Sequence, residues 1–413
     1  MTSATTSPLP LKGVRILDLS QALAGPFATM ILGDLGAEIV KVEPPTGQIT
    51  RTTPPHYFDG TSLYYLANNR NKLSVVVNLK DPQGRKVLYD LVRVSDVVFY
   101  NYAAGVAERL GVDHDSLSAI QPRIITCSVT GLGTRGEGVA RPVVDIVAQA
   151  LSGALSITGE PDRPPVRPGV ATGDLSTGLY ACIGILAALQ RRAATGEGSK
   201  VEASLFHSQL SLLNYIAAYA RHTGEVPKPL GSGQLSNAAS KAFQTSDGWI
   251  VIEAGFNHHF KALCEAMSRP DMASDPRFID RASRSRNRDI LDPMVQEEFL
   301  RQPTAAWAEE LERRGVPSAP VRNVAQALQS PQATAYRSIR PLRFGEVEVD
   351  VLATPLWFDG SDDHPMASPP LFGEHTRQVL HDLLGYDDAT VAALAERGAV
   401  ALAKHSKEGA KRG

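Results

Sequence analysis

Asp174 is the residue through which this sequence could do covalent chemistry. It follows Gly173 and precedes a run whose apolar residues recur at helical spacing to about Arg192, so its carboxylate stands where a helix begins. Two roles fit that place. As a cap, the carboxylate would accept the free amide hydrogens of the first turn. As a nucleophile, it would attack an activated acyl group and form a mixed anhydride, which preserves the free energy of the bond it replaces; a serine ester would lie too low. A helix N-terminus favours the ionised carboxylate in either role. Asp145, in Val144-Asp145-Ile146-Val147-Ala148-Gln149-Ala150, is a second carboxylate with the form of a helix cap.

Other arrangements fail, and each failure excludes a class. Gly173, Ser176 and Gly178 come near a nucleophile elbow, but G-x-S-x-G needs a glycine two residues before the serine, where Asp174 stands. No G-x-x-x-x-G-K-[ST] occurs, which argues against acid activation by ATP. The turn Ser20-Gln21-Ala22-Leu23-Ala24-Gly25-Pro26 and the acid Glu43 sit where a dinucleotide-binding unit would have them, yet G-x-G-x-x-G is absent. A phosphate or an amide could still dock on the helix N-terminus there. His258 and His259 are adjacent, so they point apart, unlike the i, i+4 pair of a zinc site.

The elements that must position these residues alternate. Val14–Leu19 reads as a strand, Phe27–Leu35 as a helix and Glu38–Val42 as the next strand, a βαβ unit. A strand at Leu73–Leu79, a helix at Pro82–Val94, and strands at Asp96–Tyr100 and Arg123–Val129 continue the pattern. The prediction is an α/β fold with a doubly wound parallel sheet. After the Asp174 helix come a strand at Lys200–Ser204 and a helix through Arg221. Val226–Leu235 is rich in Pro and Gly and reads as a linker or loop, followed by a hairpin at Phe243–Ala254 around Ser246-Asp247-Gly248. Asp275–Arg314 is helical and charged, an irregular Pro-rich stretch follows, and helices close the chain at Glu374–Leu384 and Asp387–Arg397. The predicted organisation is a short disordered arm (1–10), a large α/β domain (11–225), a smaller domain with linkers (226–345), a C-terminal segment returning to the large domain (346–403) and a basic tail (404–413).

Composition points to small-molecule chemistry. With 413 residues, roughly two lobes are expected. Lys plus Arg number 42 against 44 Asp plus Glu, so the basic excess of a nucleic-acid binder is missing. Cys127, Cys182 and Cys264 are far apart and form neither a disulfide framework nor a metal motif, which predicts no metal and a cytoplasmic location. The longest apolar stretch, Leu179–Leu189, is shorter than the roughly 20 residues of a membrane span, so no membrane association is expected.

Several stretches, taken in order, resemble the class III CoA-transferase family, also called the carnitine/bile-acid-inducible type. They are Leu11-Lys12-Gly13-Val14-Arg15-Ile16-Leu17-Asp18-Leu19 with Ala24-Gly25-Pro26, Leu32 to Glu38 with Lys41-Val42-Glu43, and Asn69-Arg70-Asn71-Lys72. Further on come Ala188-Leu189-Gln190-Arg191, Thr195-Gly196-Glu197-Gly198 and Gly373-Glu374-His375-Thr376. Pro165 to Val170, before Asp174, looks like the succinyl-CoA:dicarboxylate branch.

The resemblance implies exchange of CoA between acyl-CoA and a carboxylic acid, with Asp174 carrying an aspartyl-CoA thioester, CoA as substrate and no permanently bound cofactor. It further implies a smaller α+β lobe and a homodimer of interlocked rings. CoA contacts fall on Leu23, Ala24, Asn69, Lys72, Asn101, Tyr102 and Arg109, with Asp145 near the active site. Lys72 and Arg109 suit phosphates; Arg51, Arg70 and Arg167 are candidates to pair a distal substrate carboxylate. Where the family often has an acid and then Asn-Phe-Arg-Pro-Gly, this chain reads Tyr100-Asn101-Tyr102-Ala103-Ala104-Gly105, and Ala239-Ser240 replaces a common Pro-Tyr. Gly231-Ser232-Gly233-Gln234 could correspond to the glycine loop of formyl-CoA transferases or be a linker. The rival readings are an α-methylacyl-CoA racemase, which would need a histidine base where Val144 stands, an NAD-dependent oxidoreductase, and a CoA-binding protein without catalysis.

Overall fold

The computed structural model describes residues 8–358 and 366–403; most of the predicted arm and the whole basic tail lie outside them. The chain divides into two units, one of Met1–Ser152, Gly169–Ala217 and Ala335–Gly413, the other of Gly153–Pro168 and Ala218–Thr334.

The larger unit is built on short strands rich in Val and Ile: β1 (Arg15–Asp18), β2 (Glu38–Glu43), β3 (Lys72–Val77), β4 (Val97–Tyr100), β5 (Ile125–Thr130) and β6 (Ser199–Ser204). Among its helices in the first half of the chain are α1 (Ala24–Asp34), α2 (Pro82–Arg93), α3 (Val106–Leu110), α4 (Asp145–Leu151), α5 (Thr172–Thr195) and α6 (Leu205–Thr223), whose last turns belong to the smaller unit. The six strands are parallel in the order β3-β2-β1-β4-β5-β6, as the alternation predicts. Local chemistry starts the helices: Asp81 accepts amide hydrogens of Gln83 and Gly84 at 2.8 and 3.2 Å, ahead of Pro82 at the first position of α2. Helices cover both faces. Ala28 and Ile31 of α1 pack with Ala181 and Ile185 of α5 on one; Val87 and Leu91 of α2 pack with Val379 and Leu394 near the C-terminus on the other.

The smaller unit holds an antiparallel sheet of β7 (Ser240–Gln244), β8 (Trp249–Glu253) and β9 (Ser318–Pro320), with α7 (Asn257–Ala266), α8 (Arg288–Phe299) and α9 (Thr304–Arg313). Its core stacks Phe299 on Trp307 at 4.5 Å, and the indole N–H donates to the Phe299 carbonyl at 2.9 Å, so the buried ring leaves no polar group unpaired.

Three features depart from the sequence reading. The smaller unit ends at Thr334, not 345, and takes in Gly153–Pro168. The Pro-rich stretch contains a hairpin, β10 (Ile339–Phe344) and β11 (Val347–Leu352), whose Leu342, Phe344, Val349 and Val351 pack on Tyr65 and Leu66 of the larger unit. Its signal was the alternation in Val347-Glu348-Val349-Asp350-Val351. Finally, after α10 (Thr376–Leu384) and α11 (Asp388–Glu396), a two-residue strand, β12 (Val400–Ala401), adds antiparallel to β3. Two residues are too few for a period to register.

The returning segment is stitched to the sheet through Gly373-Glu374-His375-Thr376. Ser74 Oγ accepts from the Gly373 amide at 2.9 Å, and Thr376 Oγ1 accepts from the Val76 amide at 3.1 Å.

Candidate active site

Asp174 stands on the first turn of α5, half-buried, but it is not the cap. The helix begins at Thr172, two residues earlier than predicted, so the N-cap position falls on Ala171, which has no acceptor to offer. The acceptor comes from Asp145. Its Oδ1 takes the amide hydrogens of Gly173 at 2.8 Å and of Asp174 at 3.3 Å. The cap predicted for Asp145's own helix is therefore spent on another helix, 28 residues along the chain.

The turn between β1 and α1 lies one helical turn along α5 from Asp174. A Cβ on Gly178 would come within 2.8 Å of the Ala24 carbonyl, so glycine there lets the two helices touch backbone to side. Leu23 occupies the N-cap position of α1, half-buried and without a capping side chain; Ala24 is buried behind it. The first amides of α1 thus have no side-chain acceptor at the cap. Asn101 fixes the turn: its Oδ1 accepts from the Gln21 amide at 2.8 Å, and its Nδ2 donates to the Gln21 carbonyl at 2.7 Å.

A half-buried carboxylate on the opening turn of α5 and a peptide turn whose first amides lack a side-chain cap lie side by side. Comparison with known proteins decides what ligand. Residues 11–376 match the family model described as CoA-transferase family III. The chain belongs to that family. It is 38% identical to human succinyl-CoA:glutarate CoA-transferase, over 95% of this chain and 90% of the human protein. It is 34% identical to succinyl-CoA:mesaconate CoA-transferase of Haloarcula marismortui, over 92% and 98% of the two. Among solved structures, a CAIB/BAIF family protein from Brucella suis superposes with a TM-score of 0.82 at 33% identity, covering 91% of this chain and all of that one. The enzyme is a CoA-transferase, and CoA is its substrate.

Several residues that the family resemblance assigns to ligand binding are placed otherwise in this CoA-transferase. Lys72 is 2% exposed, and its ammonium donates to Asp18 Oδ2 at 3.0 Å, the Pro26 carbonyl at 2.9 Å and Asn69 Oδ1 at 3.0 Å. These three bonds use its three hydrogens, so the side chain has none left for a phosphate. Burial brings it down to about 7, against the pull of Asp18. Asn69, also buried, spends its amide on the Tyr65 carbonyl at 2.9 Å. Asp18 is the hub of this cluster. Burial pushes its carboxyl up, but Lys41, Lys72 and the hydroxyls of Ser20 and Thr29 together hold it well below its ordinary range. The cluster braces the β1–α1 turn from beneath, since Lys41 also donates to the Ser20 carbonyl at 2.8 Å.

Tyr102 is half-buried and stacked on Tyr100 at 6.0 Å; burial pushes its hydroxyl up to about 12, so it stays protonated. Arg109 is exposed on α3 and makes no ion pair among the described residues, which leaves its guanidinium open to an anion. The two cations therefore part ways in a test. Lys72→Met is expected to cost on the order of 3 kcal/mol in urea unfolding, because it strips a charge partner from buried Asp18, with little separate effect on KM for CoA. Arg109→Met should raise that KM while leaving stability within about 0.5 kcal/mol. The reverse pattern would restore Lys72 as a ligand.

Arg51 and Arg70, considered for a distal carboxylate, each meet a carboxylate of the protein. Arg51 meets Glu43 with two bonds of 2.7 and 2.8 Å, and Arg70 meets Asp34 with bonds of 2.5 and 2.9 Å. Burial lifts the Asp34 carboxyl above its ordinary value in spite of Arg70, while at Glu43 Arg51 and Lys41 outweigh burial and lower it. Arg167 is exposed, in the smaller unit. In the same unit Gly231–Gln234 is anchored at both ends: the Gly231 amide donates to the Gly159 carbonyl at 2.8 Å, and Arg288 donates to the Gln234 carbonyl at 2.7 Å. Val144, exposed and aliphatic at the N-cap of α4, supplies no base for racemisation. The motif scan could not have found the Asp145 cap, since a carboxylate 28 residues upstream carries no local signature.

Proposed function

We propose that this CoA-transferase moves CoA from succinyl-CoA to a glutarate-like dicarboxylic acid, with Asp174 as the covalent carrier. The observation that carries the reading is the placement of Asp174 on the opening turn of α5, its own amide already held by Asp145 and the β1–α1 turn packed one turn along. The names of the relatives, succinyl-CoA:glutarate and succinyl-CoA:mesaconate transferases, support the choice of acids.

The exchange balances without a proton donor or a cofactor. The Asp174 carboxylate attacks the thioester carbonyl, the C–S bond breaks, and CoA leaves as a thiolate from a succinyl-aspartyl anhydride. The thiolate attacks the aspartyl carbonyl and expels succinate as a carboxylate, leaving an aspartyl-CoA thioester. The incoming acid attacks that thioester through its own carboxylate, giving a second anhydride and free thiolate. Attack of the thiolate on the new acyl carbonyl yields the second acyl-CoA and regenerates Asp174. Quenching the enzyme with succinyl-CoA and mapping the adduct by mass spectrometry should place CoA on the peptide that holds Asp174; an adduct on any other residue, or none, would overturn the mechanism.

A homodimer of interlocked subunits is part of the same proposal, working in the cytoplasm. Leu179, Tyr180, Ile183 and Leu186 form an exposed apolar stripe along α5. The helix has 24 residues and is long and apolar enough to cross a membrane, longer than the apolar stretch seen in the sequence. Its other face, through Ala181, Cys182, Ile185 and Ala188, is core, so the stripe is one side of a core helix and suits a protein partner. Light scattering across a wide dilution range is expected to return a constant dimer mass; a freely exchanging monomer would contradict interlocking.

A further inference from the structure

The first turn of α5 is built as a clamp around the Gly173–Asp174 peptide. Asp145, which caps it from α4, is itself held: its Oδ2 accepts from Gln149 Nε2 at 2.8 Å. From α6, Gln209 Nε2 donates to Thr172 Oγ1 at 3.0 Å. Asp145, Gln149 and Gln209 are 5%, 0% and 2% exposed, so water does not compete for these bonds. Gly173 is required by the same clamp, since a Cβ there would lie 2.8 Å from Asp145 Oδ1 and 3.4 Å from Gln209 Nε2. The Gln149 Oε1 is buried without a hydrogen-bond partner among the described residues, a cost that packing does not explain.

We propose, resting on Asp174 as the nucleophile, that Asp145 is the positioning residue of the exchange: its carboxylate fixes the Asp174 turn and consumes the helix-end amides. The backbone that aims Asp174 cannot shift as its side chain passes from carboxylate to anhydride to thioester, and attack geometry is sensitive to displacements of about 1 Å. Around this turn α6 brings Gln209, α4 brings Gln149 beside Asp145, and α1 brings Ala24 and Phe27. The strands meet α5 farther on, where Gly184 touches Val201, ten residues and so about 15 Å beyond Asp174.

The test compares Asp145→Ala and Asp145→Asn with wild type in steady-state exchange, read as kcat against KM, and in the yield of CoA adduct on Asp174, which counts active sites. Asp145→Ala is expected to lower kcat per active site on the order of 10²-fold, with KM for acyl-CoA nearly unchanged. Asp145→Asn, which keeps an acceptor for the two amides, should recover a large part of kcat. A merely structural Asp145 would reduce the number of active sites and leave kcat per site where it was, with no recovery specific to Asp145→Asn, and that result would overturn the proposal. If wild type itself forms no adduct on Asp174, the nucleophile reading fails first, and the Asp145 comparison is not the cause.

Discussion

Asp174→Ala is expected to abolish CoA exchange, by on the order of 10⁴-fold or more, the scale seen when the residue that bears a covalent intermediate is deleted. The loss should fall on kcat. On the proposed reading, acyl-CoA binds through groups that the substitution leaves in place, the β1–α1 turn and Arg109 among them. Folding should survive. Asp174 is on the first turn but is not the N-cap, and the amides of Gly173 and Asp174 remain satisfied by Asp145. Thermal unfolding near wild type together with absent exchange and absent adduct is the expected set. Retained exchange in a well-folded Asp174→Ala enzyme would mean that another residue, or none, carries the CoA.

Exchange from succinyl-CoA is expected to favour glutarate over butyrate by a factor of about 10² or more in kcat/KM. The two acids differ in a distal carboxylate. A site that buries it must provide a partner, and butyrate would leave that partner unpaired at a cost of several kcal/mol. The structure narrows which arginine can serve. Arg51 and Arg70 are buried in paired hydrogen bonds to Glu43 and Asp34, so changing either to Met would leave a carboxylate without its partner. A stability loss of about 3–5 kcal/mol is expected from each, with the glutarate-to-butyrate ratio unmoved in whatever enzyme folds. Arg167→Met, at an exposed position, is expected to narrow the ratio, since that guanidinium is then the one that meets the distal carboxylate. Equal turnover of glutarate and butyrate by wild type would end the dicarboxylate reading and leave the family assignment intact.

The order β-α-β through Glu43, the strands through Thr130 and the helix behind Asp174 were legible from sequence because each rests on a local period or a stop signal such as Gly36 or Gly196. Family membership was legible for a similar reason: short motifs kept their order along the chain, and the family model covers the span they occupy. The hairpin at Ile339–Leu352 was visible as alternation but masked by prolines on either side, and β12 was too short to show.

Sequence by itself settled that this is an α/β chain of the CoA-transferase family and that a long helix begins beside Asp174. It could not settle which polar residues remain available to a ligand, because that depends on pairings between distant residues. Lys72 looks like a phosphate ligand until the fold brings Asp18, 54 positions away, against its ammonium. Arg70 is likewise removed by Asp34 across 36 positions. Asp145 looked like a cap for its own helix and became one for Asp174's. Once such groups are buried, an unpaired charge or amide is too costly to keep, so the tertiary structure commits them to one another before any substrate arrives. That Arg109 has no ion pair among the described residues and that the first amides of α1 lack a side-chain cap are properties of the packed molecule that no local pattern of residues could have specified.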